Sequence, residues 1–160
     1  MDAPTIIQAV KLLDIPIAFG IAGYAFSASQ VCMPLIYDKP ASISVPMFAK
    51  FFSNGATVAI PSAVISVLAS GYLAYSLPNQ RLLWTVASTA PLCSLPYTGL
   101  VMAPGIQRLL TISESTVEQE KAEKSGEHVG LLKAWTAHNY VRAVLYFTGA
   151  MCGLVATVGI

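Results

Sequence analysis

Four stretches of this chain carry no charged residue at all: positions 15–37, 51–80, 82–107 and 143–160. A helix needs about 20 predominantly apolar residues to cross the hydrocarbon core of a bilayer. The first three gaps exceed that length. The fourth reaches it once 139–142 is allowed to sit at the interface. Helices buried in a soluble protein keep one apolar stripe and a polar face, not long uncharged runs on every side. The composition agrees, because only 11% of residues are charged against roughly 25% in an ordinary soluble domain. The reading is an all-α membrane protein, a bundle of four transmembrane helices in one domain. Its spans are placed at about 15–37, 57–77, 83–102 and 139–158, with a polar loop over about 108–138.

What lies between the spans is short. Residues 38–50 read as a Pro/Ser-rich connector and 77–81 as a tight turn. Residues 113–127 form the one strongly solvated stretch. There Ser115 and Glu118 have capping-box spacing, Glu120 and Lys124 pair at i,i+4, and Gly126 can end the helix. The first span, with Lys11 ahead of it and Ala25-Phe26-Ser27 inside it, resembles a signal peptide in part. It runs on apolar through Pro34 and Ile36, so retention is the reading. Lysine and arginine concentrate on one side, at Lys39, Lys50, Arg108, Lys121, Lys124, Lys133 and Arg142, with Lys11 and Arg81 opposite. The positive-inside rule then places both termini outside or in a lumen.

Several functional classes are disfavoured at this level. The net charge of +1 gives no basic field, so nucleic acid is not a partner. Cys32, Cys93 and Cys152 are odd in number, lie in apolar runs and form no Cys-x-x-Cys pair, so they read as small buried apolar residues. There is no phosphate loop, zinc-protease motif or nucleophile elbow, and no aspartate or glutamate lies within a span, which argues against a proton-coupled transporter.

Polar residues inside a bilayer are costly, so where they gather is informative. In the fourth span Trp135, His138, Asn139, Arg142, Tyr146, Gly149 and Gly153 recur at spacings of three and four. At 100° per residue they form one stripe. Gly149-x-x-x-Gly153 permits close approach of another backbone, within the chain or in a homo-oligomer. The stripe therefore faces protein, and Arg142 points into the bundle or its mouth. The third span holds Pro91, Pro96 and Pro104, which kink a helix and free carbonyls, with Tyr97 and Thr98 beside one break. Ser62, Ser66 and Ser70 share a face that indicates helix packing, and Gln30 is a pocket candidate because an amide in lipid needs a partner.

Trp135-x-x-x-Asn139-x-x-Arg142 opening a last span resembles the fungal anthrone oxygenase family of polyketide pathways. Pro96-Tyr97-Thr98, Met102-x-Pro104 and Arg108-Leu109-Leu110 in the third span are similar too, as is the order of four spans with a polar stretch before the last. The chain departs from the family pattern at Ile106, where an asparagine is common. The resemblance implies oxidation of an anthrone, a flat aromatic polyketide, to the anthraquinone by O2 without metal or flavin, in an intracellular endomembrane. It calls for a base, donors to a developing oxyanion, and a dry slot for the rings. His138 is the only histidine on the stripe and suits a base near neutrality. Arg142, Asn139 and Tyr97 are expected to hold the oxygens, and Trp135, Tyr146, Thr98 and Gln30 to bind the substrate. The competing reading is a non-catalytic four-helix membrane protein, an assembly subunit or a carrier of a lipophilic metabolite.

Overall fold

A computed structural model describes residues 3–159, and nearly all of them are helical. Helix α1 (Ala3–Ser27) passes into a π-helical turn (Ala28–Cys32) and a 3-10 turn (Met33–Ile36). Helix α2 spans Ala41–Ser76 and, after a 3-10 turn, α3 spans Arg81–Tyr97. A second π-helical turn (Thr98–Met102) joins α3 to α4 (Ala103–Ser113); α5 (Thr116–Ser125) and α6 (Glu127–Val158) follow. Four continuous helical segments, Pro4–Ile36, Ala41–Ser76, Pro78–Ser113 and Glu127–Val158, are long and apolar enough to cross a membrane. They form a ring in which α1 and α3 each pack against both α2 and α6. Leu12, Leu68, Leu82, Leu100, Val144 and Phe147 point outward. Such side chains suit a lipid surface and not water.

The helices run further than the uncharged stretches that reveal them. Residues 41–50 are the start of α2, not a connector, and 108–138 is helical apart from a few residues around the α4–α5 and α5–α6 junctions. The reason is that a charge marks where a helix leaves lipid, not where its hydrogen bonding stops. A 36-residue helix such as α2 is about 54 Å long, against roughly 30 Å of hydrocarbon. The surplus lies at one end, where α4 and α5 cap the bundle around Ile36, Val45, Phe48, Leu109, Ile112, Ala122 and Leu132. The cap signals read correctly. Ser115 accepts from the Glu118 amide, and Gly126, at φ 70°, ends α5. Arg108 binds Glu118 at 2.9 Å and Glu127 at 2.8 Å, tying α4 to α5 and α6. Lys121 and then Arg108 hold the Glu118 carboxyl below the usual range. Glu123 accepts from the Ala41 amide at the start of α2, a favourable place for a carboxylate.

One feature of α1 contradicts the sequence reading. Asp14 lies inside the first membrane-crossing segment and is buried, so a carboxylate does occupy a span. The Ser66 hydroxyl donates to it at 2.6 Å and the Ser70 hydroxyl to its other oxygen. The serine face of α2 thus has a hydrogen-bonding task and is not simply a smooth packing surface. Lys11, one turn earlier and also buried, sets its ammonium 5.8 Å from the Trp84 ring centre. The cysteines also differ from expectation in part. All three are free, Cys32 and Cys152 are half-buried, and Cys93 faces outward.

The Gly149-x-x-x-Gly153 stripe serves packing within the chain. A Cβ at Gly149 would lie 2.9 Å from Pro91 Cδ and 3.0 Å from the Ala87 carbonyl oxygen, and one at Gly153 3.2 Å from the Trp84 ring. Helix α3 therefore approaches α6 backbone to backbone. Gly149→Val is expected to lower stability in detergent by about 1–3 kcal/mol, the usual cost of overpacking. Gly130→Ala, where nothing lies within 4 Å, should leave it within about 0.5 kcal/mol. Ser66→Ala should cost about 1–3 kcal/mol by leaving Asp14 short of a donor. Thermal unfolding of the purified variants in one detergent checks all three.

Candidate functional site

Both π-helical turns fall at the same level of the ring, and a cavity lies between them, lined by Ala28 of the first and Thr98 of the second. π-Helical turns leave the i→i−4 ladder and recur at functional sites. Here the first is marked by the Met33 amide donating to the Ala28 carbonyl. The second follows Pro96, which cannot donate to Leu92. Helix α6 supplies the polar wall with Trp135, Asn139, Arg142 and Tyr146. Helices α1 and α2 supply Ile21, Tyr24, Ala25, Phe51, Phe52 and Gly55. The cavity measures about 80 Å³.

Asn139 is buried and anchors the polar wall. Its amide donates to the Ala25 carbonyl at 2.9 Å and to the Ser29 hydroxyl at 3.0 Å, so α6 is fastened to α1 beside the π-helical turn. Its own carbonyl accepts from Arg142 Nη1 at 3.2 Å, and Arg142 Nη2 donates to the Tyr146 hydroxyl at 3.2 Å. That hydroxyl lies 2.8 Å from Ser94, whose oxygen is 2.7 Å from the Pro91 carbonyl. Both amide and phenol are therefore committed to positioning the guanidinium. Trp135 is wedged edge-on against Phe48 and Phe51, with ring centres 5.3 and 6.2 Å away.

Two donors on this wall are left over. Arg142 Nε and Trp135 Nε1 are buried without a hydrogen-bond partner. Arg142 also makes no ion pair among the described residues. A buried N–H without an acceptor costs about 1–3 kcal/mol, and an uncompensated cation costs more. Trp135 and Arg142 both line an otherwise apolar, aromatic cavity, and spare donors on such a wall suit a flat ligand with an oxygen that is, or becomes, negatively charged.

The predicted site residues divide into two groups. Trp135, Asn139, Arg142, Tyr146 and Thr98 line one cavity. Tyr97 and His138 do not line it; they bind each other, hydroxyl to Nδ1 at 2.7 Å, across the α3–α6 seam. Successive helical residues are 100° apart, so His138 lies on the α3 side of the stripe while Asn139 turns toward α1. Gln30 is exposed and accepts from the Tyr140 hydroxyl on the outer surface, away from the cavity. The role expected for it fails because the helix geometry points it outward. Phe51 and Ser29 are site residues the sequence pattern did not single out, and Tyr24 stood out in it only as a polar group in the first span, with no role assigned.

A family model described as anthrone oxygenase matches residues 48–152. Monooxygenase hypC of Dothistroma septosporum (strain NZE10 / CBS 128990) is 25% identical over 164 residues, covering 98% of this chain and 88% of that protein. No solved structure matches. The geometry around Asn139 yields its own prediction. Asn139→Leu removes two links between α6 and α1 and should destabilise the fold by about 1–3 kcal/mol, whereas His138→Ala, on the half-buried seam, should cost less. Thermal unfolding compares them.

Proposed function

The chain belongs to the anthrone oxygenase family, and from that premise we propose that it oxidises a polyketide anthrone to the anthraquinone with O2, without a metal or flavin. The observation that carries the reading is the pair of unpartnered donors, Arg142 Nε and Trp135 Nε1, on two residues that line one aromatic cavity. The name of the hypC relative, a monooxygenase, supports the reaction class.

An anthrone carries one carbonyl and, opposite it across the central ring, a methylene. Loss of a methylene proton makes the central ring aromatic and puts the negative charge on the former carbonyl oxygen. Trp135 Nε1 and Arg142 Nε would bind that oxygen, and Asn139 and Tyr146 hold the guanidinium at the angle this requires. Donors fixed in advance in a dry site stabilise developing charge far better than water does. The anion passes one electron to O2, giving superoxide and a carbon radical that combine as a peroxide at the former methylene carbon. The peroxide takes up a proton and loses water, leaving the second carbonyl. The balance is one anthrone and one O2 giving one quinone and one water. Phe51 and Phe52 would flank the rings, and a bilayer site concentrates both the poorly soluble anthrone and O2.

His138 and Tyr97 stand beyond this wall, so the donors rather than an adjacent base supply the main acceleration; the methylene proton would pass by way of the Tyr97 hydroxyl to His138 and return by the same path to the peroxide. Membranes containing the protein should convert an anthrone to the quinone aerobically faster than empty membranes do. Arg142→Met and Trp135→Phe should each lower kcat by about 10²–10³-fold, as loss of one oxyanion donor does, and His138→Ala by less than either. Quinone absorbance measures all of these. Equal rates with and without wild-type protein would sink the enzyme reading; a His138→Ala loss matching Arg142→Met would return the base to His138.

A further inference from the structure

The cavity beneath Trp135 and Arg142 is too small for the ligand its donors suit. At about 80 Å³ it is smaller than the roughly 150 Å³ apolar cavity that accepts a single benzene ring. It is also far below the about 300–1,000 Å³ typical of sites for ligands of several rings. Three fused rings need space beyond it, and a groove that shares three lining residues with the cavity offers that space.

A groove of about 350 Å³ runs down the outer seam of α1 and α2, lined by Ile17, Gly20, Ile21, Tyr24, Val58, Ala59 and Ser62. Ile21, Tyr24 and Ala59 line the cavity as well. Tyr24 stands at the shared boundary. Its ring lies against Phe51, 6.4 Å between centres and 15° from parallel. Its hydroxyl rests on α2 at Gly55, where any Cβ would overlap it. Tyr24 is 39% exposed, so a change of its χ1 rotamer is free to proceed toward lipid. Gly20 and Gly23 have nothing within 4 Å of a Cβ position, which leaves the α1 side of Tyr24 open.

We propose that the groove between α1 and α2 is a second, apolar subsite, which receives the ring and ring substituents remote from the oxygen held by Trp135 and Arg142. Tyr24 divides the two subsites and, by turning aside, joins them. The subsite opens to the bilayer, so the substrate arrives sideways out of the lipid. It lies on α1, outside the segment matched by the family model, residues 48–152, and on the part of α2 facing it. Its occupant is the substrate of the proposed oxygenase, so the inference rests on that reading. It also sets specificity: the inner cavity selects the oxygenated ring, and the groove decides how large the remainder can be.

The test uses ligands that do not react. Purified full-length protein in phosphatidylcholine vesicles is titrated with 1-hydroxyanthraquinone, which has three rings, and with phenol, which has one; quenching of tryptophan fluorescence reports binding. Gly20→Phe fills the groove from a position where a Cβ has nothing within 4 Å, and Ser62→Leu fills it from α2. Each should weaken the three-ring ligand at least tenfold and leave phenol within twofold. Tyr24→Ala should do the opposite, strengthening the three-ring ligand relative to phenol. Equal effects on both ligands, or none on the three-ring one, would overturn the subsite. Turnover of an anthrone by the wild type is measured alongside. Its absence would count against the oxygenase reading alone, because the binding ratios stand without catalysis.

Discussion

A guanidinium set in an apolar bundle, with no carboxylate paired to it among the described residues, is the constraint around which the rest of this structure is arranged. Arg142 is kept in place by neutral partners, the Asn139 carbonyl and the Tyr146 hydroxyl. Those partners are themselves fixed by Ala25, Ser29 and Ser94. Neutral partners orient the cation without cancelling its charge, and an acid in the same place would form a salt bridge and leave nothing for a ligand. A half-buried cation without an ion pair is costly to the fold, and such costs concentrate where function requires them.

The bundle handles its acid differently. Asp14 sits deep in α1, with serine hydroxyls on its carboxylate and Lys11 one turn away against Trp84. The two serine donors from α2 satisfy it internally, which suits a structural group. The two charged centres therefore have opposite characters, one closed and one open. The close approach of α3 to α6 at Gly149 and Gly153 locks the closed half. The π-helical turns border the open half.

The relation between the two halves accounts for how the site can be both rigid and accessible. On the α6 wall, donors are positioned by hydrogen bonds running to α1 and α3. On the α1–α2 side, the lining is made of alanine, glycine and aromatic rings that touch without hydrogen bonds. Stabilising an oxyanion depends on fixed donors, and admitting a bulky ring depends on side chains that can turn. The fold assigns these demands to opposite walls.

Much of this was legible in the chain itself. Uncharged stretches fix the number of spans, because no arrangement of water-facing surface can accommodate them. The spacing from Trp135 to Tyr146 fixes the polar wall, because helical periodicity is a local property, and the family resemblance rests on the same residues. Helix ends were not legible from charge, since Lys50 and Lys133 lie on helices that continue beyond the lipid. Nor was the split between Asn139, inside the cavity, and His138, on the seam. Both residues belong to the stripe, and only the direction of approach of α1 and α3 separates them. Tyr24, Phe51 and the pairing of Asp14 with Ser66 and Ser70 likewise depend on which helices become neighbours. Sequence determines each helix and its faces, whereas the tertiary structure alone decides which faces meet, because that choice is made by packing between residues far apart in the chain.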